Sequence, residues 1–118
     1  MKYVDGFVIP VPKKDIKKYM AIAKKAGKVW LEYGALQYCE CAGDDLDVKF
    51  GMPFPKLAKT KAGETVVFSF IVYKSRAHRD KVNAKVMKDP RLASMDPKSM
   101  PFDVKRMSMG GFNILVDF

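Results

Sequence analysis

The chain has 118 residues, of which 48% are hydrophobic and 30% charged, and its formal net charge is +9. This length fits one domain, residues 1–118, and the hydrophobic fraction excludes wholesale disorder. No apolar run reaches the roughly 20 residues that cross a bilayer, and Asp5 interrupts the short apolar N-terminus, so we expect neither a membrane span nor a signal peptide. Cys39 and Cys41 are too few and too close for a disulfide framework, which favours a reducing, cytoplasmic location.

Lysine supplies most of the positive charge, since 18 of the 22 basic residues are lysines and four are arginines. A strongly basic chain is typical of polyanion binding, but arginine is the residue that usually makes bidentate contacts to phosphate and guanine. No aromatic RNA-binding motif, GXXG loop or zinc-finger spacing accompanies the lysines. A solvated lysine surface is therefore the favoured interpretation, and binding to nucleic acid, RNA in particular, is an alternative.

The first part of the chain alternates between strand and helix patterns. Residues Tyr3–Val11 are rich in aromatic and β-branched side chains and predict a strand. Over Lys14–Leu31 the apolar residues recur every three or four positions, which predicts an amphipathic helix, and Gly34 suits the left-handed residue that ends such a helix. Residues Leu36–Ala42 predict a second strand. The predicted apolar stripe of the helix is Ile16, Tyr19, Met20, Ala23, Gly27, Trp30 and Leu31.

A long segment and a second strand–helix pair follow. Residues Leu46–Gly63 contain prolines, glycine and lysines and predict a long loop. Residues Glu64–Tyr73 form the strongest strand pattern in the chain. Ser75 is suited to cap a helix that runs to about Lys88, before Asp89 and Pro90. The predicted buried edge of this helix is His78, Val82 and Val86, with Ala77 or Met87 to one side.

The last predicted strand covers Lys105–Asp117, after a proline- and methionine-rich connection at Arg91–Phe102. Gly110 and Gly111 indicate a bulge in this strand. The element order is then βαββαβ, which predicts an α+β, ferredoxin-like fold with a four-stranded antiparallel sheet and two helices on one face.

Both faces of the third strand are apolar. Val66, Phe68, Phe70 and Val72 alternate with Val67, Ile71 and Tyr73. Two helices can cover only one face of the sheet, and monomers rarely expose an apolar patch of more than a few hundred Å². We therefore expect a homodimer in which two sheets pack face to face.

Four segments spread along the chain stand out: YVDGFVIPVPK, AGKVWLEYGALQYCEC, VVFSFIVYKSRAHRDKVNAKVM and MPFDVKRMSMGGF. Together they resemble the YbaA-like family of small bacterial proteins. The resemblance implies the dimeric α+β-barrel superfamily, in which two ferredoxin-like units pack sheet to sheet. Relatives in that superfamily include cofactor-independent monooxygenases, haem-degrading enzymes and lactone isomerases, but the family itself implies no catalytic residue.

His78 is the only histidine, and it lies beside Arg79 and Asp80. A histidine near a carboxylate is suited to general-base chemistry at neutral pH, so these three residues are candidate catalytic residues. Asp80 is two positions away, however, and does not face His78 on a helix. A structural role for His78 is the favoured interpretation.

Four other residues are candidate ligand-binding residues: Trp30, Tyr38, Glu40 and Arg106. Glu40 shares one face of its strand with Tyr38, whereas Cys39 and Cys41 point to the opposite face. The residue spacing predicts no metal site, and no cofactor is expected. The function we expect is a small molecule bound or transformed in a pocket between sheet and helices; the alternatives are an RNA-associated protein or a structural or regulatory dimer.

Overall fold

One antiparallel sheet of four strands forms the centre of the computed structural model, which describes residues 1–118. The spatial order is β2-β3-β1-β4, and the central strands β1 and β3 pair along their full lengths. This arrangement confirms the predicted ferredoxin-like fold class. The strands are β1 (Tyr3–Pro12), β2 (Gln37–Ala42), β3 (Glu64–Tyr73) and β4 (Ser108–Asn113).

Two long helices connect the strands, and no helix is both long and apolar enough to span a membrane. Both helix ends predicted from the sequence are confirmed: Gly34 has a φ of +109° after the first long helix, and the Ser75 Oγ accepts a hydrogen bond from the His78 N–H at 3.1 Å. The helices are α1 (Ile16–Glu32), α2 (Phe54–Ala58), α3 (Arg76–Lys88) and α4 (Pro90–Ala93), and 3-10 turns lie at Lys13–Asp15, Pro97–Ser99 and Val104–Arg106.

The hydrophobic core lies between the sheet and the two long helices. Alternate residues of β1 and β3 point towards the helices because side chains alternate along a strand. The core has two parts, one near α3 and one near the start of α1. The first contains Tyr3, Val29, Ala35, Ile71, Tyr73, Val82 and Val86, and the second contains Ile9, Val11, Tyr19, Ala23 and Val67.

The opposite side of the sheet, here called the open sheet face, is apolar and partly exposed. Phe68 is 44% exposed and Phe112 is 60% exposed. Helix α2 covers only one end, where the Phe54 and Phe68 rings lie 6.3 Å apart. The open sheet face consists of Val4, Val8, Phe68, Phe70, Val72 and Phe112.

Three predictions about the connections are wrong. The predicted loop Leu46–Gly63 contains α2, because its second proline, Pro55, lies in the first helical turn, where proline is tolerated. The predicted connection Arg91–Phe102 contains most of α4 and a 3-10 turn. The predicted last strand is shorter, because a 3-10 turn precedes β4 and pairing with β1 ends at Asn113.

The predicted bulge in the last strand is also absent. Gly110 and Gly111 pair in regular register with Gly6 and Asp5 of β1. A Cβ at position 111 would lie 2.6 Å from the Arg79 Nη2, so this glycine is required by a close approach rather than by a bulge.

The faces of the two long helices differ from prediction at a few positions. Met20 and Leu31 are 42% and 50% exposed, whereas Val29, outside the predicted stripe, is 1% exposed. In α3, Val82 and Val86 are buried as predicted, but Ala77 and Met87 are both exposed and His78 is only half-buried. Val29 is buried because α1 packs against α3 as well as against the sheet. The buried face of α1 is therefore wider than one apolar stripe.

Candidate functional site

Three polar side chains meet where α1 packs against β2. Tyr38 and Glu40 point to the same side of β2 because they are two residues apart, and Tyr19 reaches them from α1. The Tyr19 hydroxyl donates to the Glu40 Oε1 at 2.7 Å, and the Tyr38 hydroxyl donates to the Oε2 at 2.6 Å. Burial, with Glu40 adding to it, raises the pKa of both tyrosines far above the ordinary value of 10.0. Both phenols are therefore protonated donors at neutral pH.

An open groove of about 440 Å³ lies beside this carboxylate, between α1 and the sheet edge; we call it the α1–β2 groove. Gly27 and the Tyr38 ring form the floor of the groove. They pack so closely that a Cβ at position 27 would lie 2.7 Å from the ring. Met20 and Leu31, which the sequence pattern assigned to the core, form apolar walls here. The residues that line the groove are Met20, Ala21, Ala23, Lys24, Gly27, Lys28, Leu31, Tyr38 and Glu40.

A second polar cluster lies under α3 and surrounds Asp5. This carboxylate is only 7% exposed, and its Oδ1 is 3.4 Å from the Arg79 Nε. Burial raises the pKa of Asp5, and the Arg79 charge opposes that shift. Arg79 donates hydrogen bonds to the Tyr3 hydroxyl at 3.0 Å and to the exposed Asp80 at 3.1 Å, whereas its contact with Asp5 is an ion pair without a hydrogen bond. The guanidinium thus contacts Asp5 and Tyr3 of β1 and Asp80 of its own helix. The contacts with Asp5 and Tyr3 hold α3 to β1.

Trp30 links α1 to α3 and to β2. Its indole Nε1 donates to the Asn83 Oδ1 at 3.0 Å, and the Tyr73 hydroxyl donates to the same oxygen at 3.1 Å. The Trp30 ring centroid lies 6.0 Å from that of Tyr38. Three of the four candidate ligand-binding residues, Trp30, Tyr38 and Glu40, are therefore neighbours in space.

His78 and Asp80 do not form a catalytic pair. The His78 Nδ1 accepts a hydrogen bond from the Lys74 backbone N–H at 3.0 Å, and its ring packs edge-on against Tyr73 at 6.1 Å between centroids. These contacts join the end of β3 to the start of α3. Asp80 is exposed and its carboxylate contacts Arg79. The geometry agrees with a structural role for His78.

Arg106 lies at the other end of the sheet from Tyr38. It donates to both carboxylate oxygens of Glu64, at 2.7 and 2.8 Å, and to the Lys59 carbonyl oxygen at 2.9 Å. Tyr38 pairs with Ile71, seven residues along β3 from Glu64, a separation of roughly 23 Å. Arg106 therefore lies apart from the other three candidate ligand-binding residues in this structure.

The sequence analysis did not single out Tyr19, Gly27, Asn83 or the carboxylate of Asp5 as site residues. Asp5 carried a signal, because it is the one acidic residue among the helix-facing positions of a predicted apolar strand. Tyr19, Gly27 and Asn83 carried no such signal. A tyrosine or a glycine on the apolar stripe of a helix is ordinary core composition. Cys39 and Cys41 have free thiols, and no group of three or more His, Cys, Asp or Glu side chains is arranged to hold a metal ion.

The sheet with two long helices on one side defines an α+β protein of the ferredoxin-like fold. Solved structures with this fold are similar over nearly the whole chain. A NIPSNAP domain protein from Burkholderia xenovorans matches with a TM-score of 0.61 and 14% identity, over 95% of this chain and 93% of that one. A putative antibiotic biosynthesis monooxygenase from Nitrosomonas europaea matches with a TM-score of 0.60 and 10% identity, over 97% of this chain and 90% of that one. A dimeric ferredoxin-like protein from an uncultured marine organism matches with a TM-score of 0.60 and 12% identity, over 99% of this chain and 98% of that one.

The chain belongs to the family described as "Protein of unknown function (DUF1428)", which matches residues 2–104. It is 44% identical over 117 residues to "Uncharacterized protein YbaA" of Escherichia coli strain K12, covering 99% of both chains. The protein of the same name from Shigella flexneri matches equally. The resemblance to the YbaA-like family is thereby confirmed.

Proposed function

We propose that this protein is a cytoplasmic, single-domain homodimer that binds a small molecule in the α1–β2 groove. The observation that carries the proposal is the groove itself, whose apolar walls surround the fixed carboxylate of Glu40. Concave, mostly apolar sites with a few oriented polar groups are typical of small-molecule binding, and about 440 Å³ is within their usual range.

The chemistry of the groove supports binding more than catalysis. Both oxygens of Glu40 already accept a hydrogen bond from a tyrosine. Since the pKa of Tyr19 and of Tyr38 is raised, neither phenol is available as a base at neutral pH. The three groups are instead suited to hold a ligand in a fixed orientation.

Two similar structures support the proposal by analogy of fold. One is named as a putative monooxygenase of antibiotic biosynthesis, an activity on small molecules. Another is named as dimeric, which supports a homodimer. The cytoplasmic part of the proposal depends on the two free thiols, which are typical of a reducing compartment.

The alternative of RNA binding has less support. Three of the four arginines, Arg79, Arg91 and Arg106, form ion pairs with carboxylates of the same chain. They are therefore engaged away from any phosphate backbone. RNA binding would be shown by an affinity that falls steeply with salt concentration.

The test is a thermal-shift screen of a chemically diverse library, because a ligand that binds the folded state raises its stability. Hits are then titrated against Leu31→Trp, which fills the groove, and against Leu57→Trp. Leu57 is a matched control because it is similarly exposed, 58% against 50%, but lies on α2. We expect Leu31→Trp to lose at least about tenfold in affinity while Leu57→Trp binds like the wild type. Equal binding by both variants, or no hit at all, would overturn the proposal.

A further inference from the structure

Two lysines at the rim of the α1–β2 groove have no acidic partner. Lys24 and Lys28 both line the groove and lie one helical turn apart on α1. Six ion pairs are present in the structure, and the only lysine among them is Lys2. Neither ammonium group therefore has a carboxylate within 4 Å.

The single acidic residue in the groove does not neutralise them. Both oxygens of Glu40 are held by short hydrogen bonds from Tyr19 and Tyr38, at 2.7 and 2.6 Å. The carboxylate is thus held by one tyrosine from α1 and one from β2, and Lys24 and Lys28 also lie on α1. The groove presents two unpaired cations beside an apolar surface.

Apolar walls flank the two lysines along α1. Met20 and Leu31 are each about half exposed, and the floor at Gly27 is bare of a side chain. A volume of about 440 Å³ accommodates on the order of 15 water-sized groups. The occupant that fits has an apolar body of that size and an anionic end.

We infer that the ligand of the α1–β2 groove is a small amphipathic organic anion whose negative group lies between Lys24 and Lys28. This inference rests on the proposed function and adds the chemical class of the ligand. The net charge of +9 assists, because it raises the local concentration of anions around the protein.

The test compares three probes of equal chain length: octanoate, octanol and octylamine. Each is titrated at low salt and followed by the amide NMR signals of Gly27 and Leu31. We expect octanoate to bind at least about tenfold more tightly than octanol, and octylamine to bind most weakly. Added salt is expected to weaken octanoate binding and to leave octanol binding unchanged.

A double variant separates the local charges from the overall charge. Lys24→Met with Lys28→Met keeps the apolar stems and removes both charges from the groove. Lys18→Met with Lys25→Met removes the same total charge from exposed positions of α1 outside the groove. We expect the first pair to abolish the preference for octanoate over octanol and the second pair to retain it.

The outcomes distinguish this inference from the proposed function. If octanol binds in the groove as tightly as octanoate, or octylamine binds best, the inference of an anionic ligand is wrong and the groove remains a binding site. If the Lys18 and Lys25 variant loses the preference equally, the overall charge is responsible and the inference is again wrong. If none of the three probes shifts the groove signals, the inference is overturned, and the library screen alone decides the proposed function.

Discussion

Gly27 determines the shape of the α1–β2 groove at the level of a single residue. In an exposed helix, replacing glycine by alanine usually stabilises by roughly 0.5–1 kcal/mol. Here the added Cβ would lie 2.7 Å from the Tyr38 ring, so the ring must move away from α1 and from Glu40. We expect Gly27→Ala to lower the free energy of unfolding by roughly 1–3 kcal/mol, measured by urea denaturation.

A double-mutant cycle identifies the cause. In a Tyr38→Ala background the clash is absent, and Gly27→Ala is then expected to be neutral or to stabilise by up to about 1 kcal/mol. A loss of stability of the same size in both backgrounds would show that Tyr38 is not the reason for the glycine.

The sequence largely predicted on which face of a strand each side chain lies, but it did not predict which other side chain it contacts. Strand alternation placed Tyr38 and Glu40 together and Cys39 and Cys41 on the other side, as the structure shows. Alternation says nothing about which side chain arrives from a helix. The contacts of Tyr19 with Glu40 and of Arg106 with Glu64 therefore had no signal in the sequence.

At the level of elements, the sequence predicted the long periodic segments well and the short ones poorly. The strand Glu64–Tyr73 and the helix capped by Ser75 have the predicted bounds. Helix α2 was missed because it is five residues long and ends at Lys59, a lysine with a φ of +54° where glycine is usual. Such a segment is stabilised by packing on the sheet rather than by its own sequence pattern.

Arg106 clamps three elements together: the start of β3, the end of α2 and the turn before β4. Its hydrogen bonds to Glu64 lower the pKa of that carboxyl from 4.5 to about 2. A carboxyl whose pKa is lower in the folded state stabilises the fold above its unfolded pKa, and the contribution is lost as the pH falls towards the folded pKa. The window for Glu64 therefore runs from about pH 5 to about pH 2.

We expect Arg106→Gln to be less stable than the wild type at neutral pH and the difference to shrink as the pH falls through that window. Chemical denaturation at several pH values measures it, and NMR titration of Glu64 should show its pKa returning towards 4.5 in the variant. Arg76→Gln is the matched control, since Arg76 is exposed and makes no ion pair. A difference between wild type and Arg106→Gln that does not change with pH would exclude the clamp.

The whole molecule is flat and exposes more surface than a monomer of its size usually does. Its extents are 38 × 36 × 20 Å. The shortest extent is the thickness of one sheet and one helix layer. The accessible surface is 8220 Å², about 1,700 Å² more than the roughly 6,500 Å² typical of a 13.3 kDa monomer. We therefore expect a partner to cover part of this surface, and the open sheet face is the apolar candidate.

A second copy of the chain is the partner we expect on the open sheet face. Burying Phe68, Phe112 and their neighbours contributes roughly 1.5–3 kcal/mol for each large side chain. Several such contributions exceed an association cost of roughly 4–15 kcal/mol, and a standard interface needs about 800 Å² from each partner. Light scattering at micromolar concentration should therefore give about twice the chain mass.

The interface is tested by two substitutions in the same strand, β4. Phe112→Lys places a charge on the open sheet face, whereas Met109→Lys places it on the side that faces the helices, and both positions are well exposed, at 60% and 65%. We expect Phe112→Lys to give a monomer at micromolar concentration and Met109→Lys to remain a dimer, because an unpaired charge in a closed apolar interface is strongly unfavourable. A monomeric wild type would overturn the dimer, and dissociation by Met109→Lys alone would place the dimer contact on another surface.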